Sequence, residues 1–148
     1  SLGTTFGILH TKQDELLKVP FFEDIEAAAG DGCTVFNEYA DLELVIPKSF
    51  FNTVVSSELI CLRILGDSME PEFKDGAIIC IDAQKTKPID GKTYVVKHDG
   101  MLRVKYIENT PQGIVLKSYN TSYAEVLVTS NESFCIIGAV VMQLSFYK

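Results

Sequence analysis

No apolar run in this sequence is long enough to cross a bilayer. The longest, Phe134 to Met142, falls well short of the ~20 residues a spanning helix needs. No secretory signal opens the sequence, so the cytoplasm is the expected location. Basic residues are scarce as well. Lys and Arg number 13 against 20 Asp and Glu, a formal net charge of −7. A segment of that sign is not built to hold a phosphate backbone, and no recognition helix is visible. Metal-ligand spacing is missing too. Cys33, Cys61, Cys80 and Cys135 stand far apart, with no CxxC pair and no Cys/His cluster. That pattern argues against a zinc site, and no metal or other cofactor is expected. Histidine occurs only at His10 and His98. Neither sits in a catalytic motif, and His98, beside a turn, is expected to be exposed.

What is present suits one β-rich domain. The 148 residues are 47% hydrophobic, enough for a real core. Short β-branched runs recur between turn residues: Leu42–Ile46, Leu59–Leu65, Ala77–Asp82, Ile114–Lys117 and Phe134–Met142. Cys61, Cys80 and Cys135 lie inside such runs, where a cysteine acts as a small core residue in a reducing compartment. Residues 1–18 are weakly patterned and read as linker, with at most a helical turn over Gln13–Lys18 before Pro20. The sequence predicts an all-β fold of short twisted strands and hairpins in a compact, partly open barrel.

Two stretches carry candidate chemistry. Gly66-Asp67-Ser68-Met69-Glu70-Pro71 follows a strand-like run, and its composition makes a tight turn. The Ser68 hydroxyl would stand at the tip of a rigid element. Asp99-Gly100 separates Tyr94–His98 from Met101–Tyr106, the signal of a two-residue type I′ hairpin. That turn fixes the register: His98 faces Met101, Val96 faces Arg103 and Tyr94 faces Lys105. A lone serine in such a turn most often serves the turn, and a lone strand lysine is most often a solvated charge.

Together, Gly66–Pro71, Asp75-Gly76, Asp90-Gly91 before Tyr94-Val95-Val96, and Leu102-Arg103-Val104-Lys105 resemble the serine–lysine self-cleaving domain family of LexA, phage repressors and UmuD-type proteins. The resemblance runs from about Val19 to the C-terminus. It implies that Ser68 is the nucleophile and Lys105 its base. It implies that the backbone N–H groups of Asp67 and Ser68 receive the oxyanion, and that Ala29–Gly30 in the segment 27–32 is the scissile bond. Ser118–Tyr123 resembles the family's Asn-x-x-Tyr loop, which serves equally as a polar turn with aromatic anchors.

The domain layout expected from the resemblance is a linker over 1–18, left from a missing N-terminal helix-turn-helix domain, and an autoprotease and dimerisation domain over 19–148. The expected protein is a bacterial or phage transcriptional repressor of the SOS type. It would form a homodimer, meet operator DNA only through the absent domain, have no membrane partner, and be stimulated to cut itself by a RecA–single-stranded-DNA filament. A non-cleaving dimerisation module of the same fold is the alternative. A signal-peptidase-like enzyme is a weaker third, since the chain carries its own Ala-Gly segment and no membrane anchor.

Overall fold

Period-2 patterning and near-continuous apolar runs both end up as strands. The computed structural model describes residues 14–25, 32–33 and 40–147. Among them nine strands follow one another. They are β1 (Leu16–Phe22), β2 (Leu42–Pro47), β3 (Leu59–Arg63), β4 (Ile78–Asp82), β5 (Thr93–His98), β6 (Met101–Thr110), β7 (Gly113–Lys117), β8 (Val126–Leu127) and β9 (Phe134–Leu144). A short 3-10 turn, Lys48–Phe50, follows β2. The strands form one mixed sheet in the order β2-β1-β3-β4-β9-β5-β6-β7-β8. The β1–β3 pair is parallel, with Phe21 opposite Cys61, and the other neighbours are antiparallel. The all-β expectation holds.

The β5–β6 hairpin has the register its turn demands: His98 opposite Met101, Val96 opposite Arg103 and Tyr94 opposite Lys105. Asp99 (φ 49°) and Gly100 (φ 79°) both take the left-handed backbone of a type I′ turn. β3 and β4 are buried on both faces, as their unbroken apolar runs suggest. Ile60, Leu62, Ile79 and Ile81 face one cluster, with Val95, Ile137, Met69 and Phe73. Leu59, Cys61, Ile78 and Cys80 face another, with Val19, Phe21 and Ile46. A third cluster holds Tyr94, Val96, Ile107, Leu116 and Ala139.

Three local readings change. Leu16–Lys18, read as the end of a linker, instead opens β1, with Leu16 opposite Pro47 and Lys18 opposite Val45. A distant strand supplies partners that local propensity does not reveal. The two-residue strand β8 leaves no recognisable sequence pattern. Cys135 is not a free core thiol: it forms a disulfide with Cys33, across a Cα–Cα distance of 6.1 Å. Cys61 and Cys80 are free, buried and directly opposite each other. The hydrogen bond to Cys61, then burial, pushes the Cys80 thiol far up, so it stays protonated.

β9 is central, pairing β4 on one side and β5 on the other. Its register shifts twice, between Ile136 and Gly138 and between Val140 and Met142. Such bulges bend a strand and raise its twist. A Cβ at Gly138 would lie 2.6 Å from the Asp82 carbonyl oxygen and 3.1 Å from the Ala83 Cα, both backbone atoms. Gly138→Ala is therefore expected to destabilise the fold by about 1–3 kcal/mol. Urea unfolding checks this; a midpoint equal to that of the parent chain would remove the close approach as the reason for glycine there.

Candidate functional site

The loop between β3 and β4 is tied across its base and pinned through its middle. Ile64 N–H donates to the Ala77 carbonyl and Gly76 N–H to the Ile64 carbonyl, each at 2.8 Å. Gly66 takes φ 91°, which a side chain resists, and its N–H donates to Asp75 Oδ1 at 2.8 Å. Glu70 N–H closes onto the Asp67 carbonyl at 3.1 Å and Phe73 N–H onto the Met69 carbonyl at 2.9 Å. The Glu70–Pro71 peptide is cis. Met69 and Phe73 are buried in the main core cluster. Ser68 thus lies between an exposed Asp67 and a core-anchored Met69, half-buried itself. Among the described residues neither the Asp67 nor the Ser68 N–H donates to a protein acceptor.

Lys105 lies on β6. Between β3 and β6 the sheet interposes β4, β9 and β5. In a flat sheet those strands would be roughly 19 Å apart, at about 4.8 Å per spacing. Yet Ser68 and Lys105 line one cleft of about 180 Å³, with Ile25, Leu65, Leu102 and Arg103 among its walls. The sheet therefore curls, by the twist of its strands and the bulges of β9. Leu102, Val104 and Tyr106 of β6 pack against the same cluster as Ile60 and Leu62 of β3, which is the inside of that curl.

The Lys105 ammonium group donates to Ser118 Oγ at 2.6 Å. It also lies 5.9 Å from the centroid of the Tyr123 ring. Among the described residues no acid forms an ion pair with it. Burial first, and then the Arg103 charge, hold its pKa below the usual lysine range. Arg103 sits two residues along the same strand and also lines the cleft.

The loop Ser118–Tyr123 joins the two halves of the site. Asn120 N–H donates to the Ser68 carbonyl at 3.0 Å, and Asn120 Nδ2 to the Asp67 carbonyl at 3.2 Å. The Tyr123 hydroxyl donates to Asp67 Oδ1 at 2.6 Å. That bond and the carboxylate charge raise the Tyr123 pKa. Tyr119 packs between Tyr106, at 4.5 Å, and Phe73, at 6.3 Å between ring centroids. The loop is a polar turn with an aromatic anchor, and it also touches both Lys105 and the Asp67-Ser68 backbone.

Ser118 was not anticipated. The β6–β7 register puts Tyr106 opposite Lys117, and one step further sets Ser118 beside Lys105. Pro111-Gln112 between Thr110 and Gly113 carries no strong hairpin signal, so that register was not legible. His98 does not line the cleft. Its side chain is only 11% exposed, not open to solvent as expected, because Glu132 approaches its Nε2 to 3.1 Å and the Phe134 ring packs edge-on. Ala29 and Gly30, the expected scissile pair, lie outside the described residues.

Lys105 is expected to titrate below the other lysines in NMR spectra of the side-chain amines. Arg103→Gln should move it back up, because one of the two causes is removed while burial remains. The sign for stability follows. Between the lowered folded pKa and the ordinary value, the unfolded chain binds the extra proton, so this lysine makes stability rise with pH across that window. A Lys105 resonance indistinguishable from those of exposed lysines would refute the shift.

Comparison with known proteins bears on the family of the chain. Residues 20–141 match the family described as Peptidase S24-like. The chain is 37% identical over 111 residues to the HTH-type transcriptional regulator PrtR of Pseudomonas aeruginosa, covering 73% of this chain and 43% of that protein. It is 33% identical over 115 residues to Repressor protein CI of Enterobacteria phage phi80, covering 74% of this chain and 49% of that one. The chain thus spans about half the length of these curated relatives.

Proposed function

The chain belongs to the Peptidase S24-like family, and from that premise we propose that it is the C-terminal domain of a bacterial or phage transcriptional repressor that inactivates itself by cutting Ala29–Gly30. The observation that carries the reading is the shared cleft. Ser68, on a pinned turn, and Lys105, with a lowered pKa, line the same small cleft. The likeness to a transcriptional regulator and a phage repressor supports the regulatory half.

In the proposed reaction, neutral Lys105 takes the Ser68 proton as the oxygen attacks the Ala29 carbonyl carbon. The Asp67 and Ser68 N–H groups receive the oxyanion. Lys105 returns the proton to the Gly30 nitrogen as the peptide bond breaks, and water then releases Ala29 from Ser68. Ser118 is a positioning residue that holds the amine. Dimerisation through this domain would pair DNA-binding domains on paired half-sites of an operator. A RecA–single-stranded-DNA filament would promote the cut in the cytoplasm, by resemblance to the family. One observation favours a second reading, a dimerising regulatory module that does not cut: Lys105 donates to Ser118 and not to Ser68.

Mass spectrometry of purified protein held at alkaline pH decides between them. The expected outcome is slow, concentration-independent appearance of a fragment ending at Ala29. Its rate should climb about tenfold per pH unit and level off near the Lys105 pKa. Ser68→Ala and Lys105→Ala should each abolish it, and Arg103→Gln should shift the plateau to higher pH. Ser118→Ala should slow the cut by about 10-fold or more, a share of the ~10²–10⁴ a well-placed base supplies. Intact chain after long incubation would leave the non-cutting module.

A further inference from the structure

The tip of the β5–β6 hairpin and the turn before β9 bring three metal-ligand side chains together, away from the cleft. Asp99 N–H donates to the Ser133 carbonyl at 2.9 Å and Ser133 N–H to Asp99 Oδ1 at 3.3 Å, so the two turns are tied to each other. His98, Asp99 and Glu132 meet at that junction. Each offers one ligand atom, and these atoms all lie within 4.8 Å of one another. None of the three lines the Ser68/Lys105 cleft. Sequence spacing does not reveal the group, because Glu132 arrives from a separate turn.

His98 Nε2 is the atom that points to a ligand. It is buried, and among the described residues it has no hydrogen-bond partner. Glu132 Oε2 lies only 3.1 Å away, so the contact fails on direction and not on distance. Two atoms 3.1 Å apart can both stand about 2.1 Å from one cation, which then sits off the line between them. Nε2 and Oε2 have that relation: they are close and do not face each other. The other Glu132 oxygen, Oε1, accepts from the Thr129 N–H at 2.8 Å and from the Thr129 hydroxyl at 3.0 Å. Those bonds fix the carboxylate and leave Oε2 beside His98.

We propose that His98, Asp99 and Glu132 bind one divalent transition cation of the zinc type, which clasps the hairpin tip to the turn before β9. One imidazole nitrogen and two carboxylates suit such a cation, whereas calcium and magnesium prefer shells made of oxygen. The two carboxylates also balance its two charges. Three protein donors leave the fourth position of a tetrahedral shell to water. The cation needs its donors no more than about 4.2 Å apart, so the widest pair closes by at most about 0.6 Å. Asp99, on the exposed turn, makes that adjustment by rotating its side chain. Because only the folded chain assembles the three donors, binding stabilises the fold.

The test is a titration of the metal-stripped chain with zinc chloride at neutral pH, read by calorimetry and by NMR of the imidazole nitrogens. With the Cys33–Cys135 disulfide kept intact, one equivalent should bind, shift the His98 ring signals and raise the Tm. Glu132→Gln and Asp99→Asn should each weaken binding about tenfold or more. Both variants keep an oxygen acceptor for the turn bonds, and Asn tolerates the left-handed backbone at 99 (φ 49°), so the fold is retained. His98→Gln should abolish binding. His10→Gln, which removes the other histidine, should leave it unchanged. No binding heat and no His98 shift with zinc in large excess would leave an ordinary histidine–glutamate contact and overturn the site. Binding as tight in Glu132→Gln and Asp99→Asn as in the parent chain, or lost in His10→Gln, would put the ion elsewhere and overturn it as well.

Discussion

Lys105 is kept where its own charge is unfavourable, and its hydrogen-bond partner does not relieve this. Ser118 is neutral, so it orients the amine without stabilising the ammonium form as a carboxylate would. Burial and Arg103 both work in the opposite direction to an ion pair. An acid in place of Ser118 would push the Lys105 pKa back up and leave an ordinary salt bridge. On the proposed reading, the chemistry of the cleft depends on this one amine being cheap to deprotonate.

That environment exists only because the sheet curls. Ser68 follows β3 and Lys105 lies on β6, with three strands between them. The bulges of β9 and the glycine at 138 let the central strand press against Asp82 and bend. The clearance is closed from the other side by Ser118–Tyr123. This loop supplies the partner of Lys105 and, through Asn120 and Tyr123, grips Asp67 and Ser68. Hydroxyl and amine are thus related through one short loop more directly than through the sheet. A change at Asp67 would be felt at Lys105 although the two share no bond.

The sequence made visible those parts whose determinants are local. Asp99-Gly100 permits only one tight turn, so the hairpin register and the neighbours of Lys105 followed from it. The Gly66–Pro71 composition marked a turn after a strand for the same reason. Ser118 depended on the register of a second hairpin whose turn, Pro111-Gln112, has no comparable signature. Leu16–Lys18 becomes strand only because β2 offers partners, and Cys33 meets Cys135 only once the sheet has formed. Pairings between distant segments follow from the whole fold, and residue types alone do not specify them.

The size of the cleft fits the reading in which the substrate is part of the chain. At about 180 Å³ it is below the ~300–1,000 Å³ of pockets that bind free small molecules tightly. A site that captured substrate from solution would need more surface to offset lost translational freedom. A tethered segment has already lost that freedom, so a narrow slot is enough. A narrow slot in turn favours side chains as small as those of Ala28, Ala29 and Gly30. The same economy limits the amine. Half-buried in the described structure, Lys105 is only partly desolvated. A segment lying over it would exclude the remaining water and lower its pKa further. On the proposed reading the segment would complete the base that activates Ser68, so the placement of the segment would set the rate of the cut.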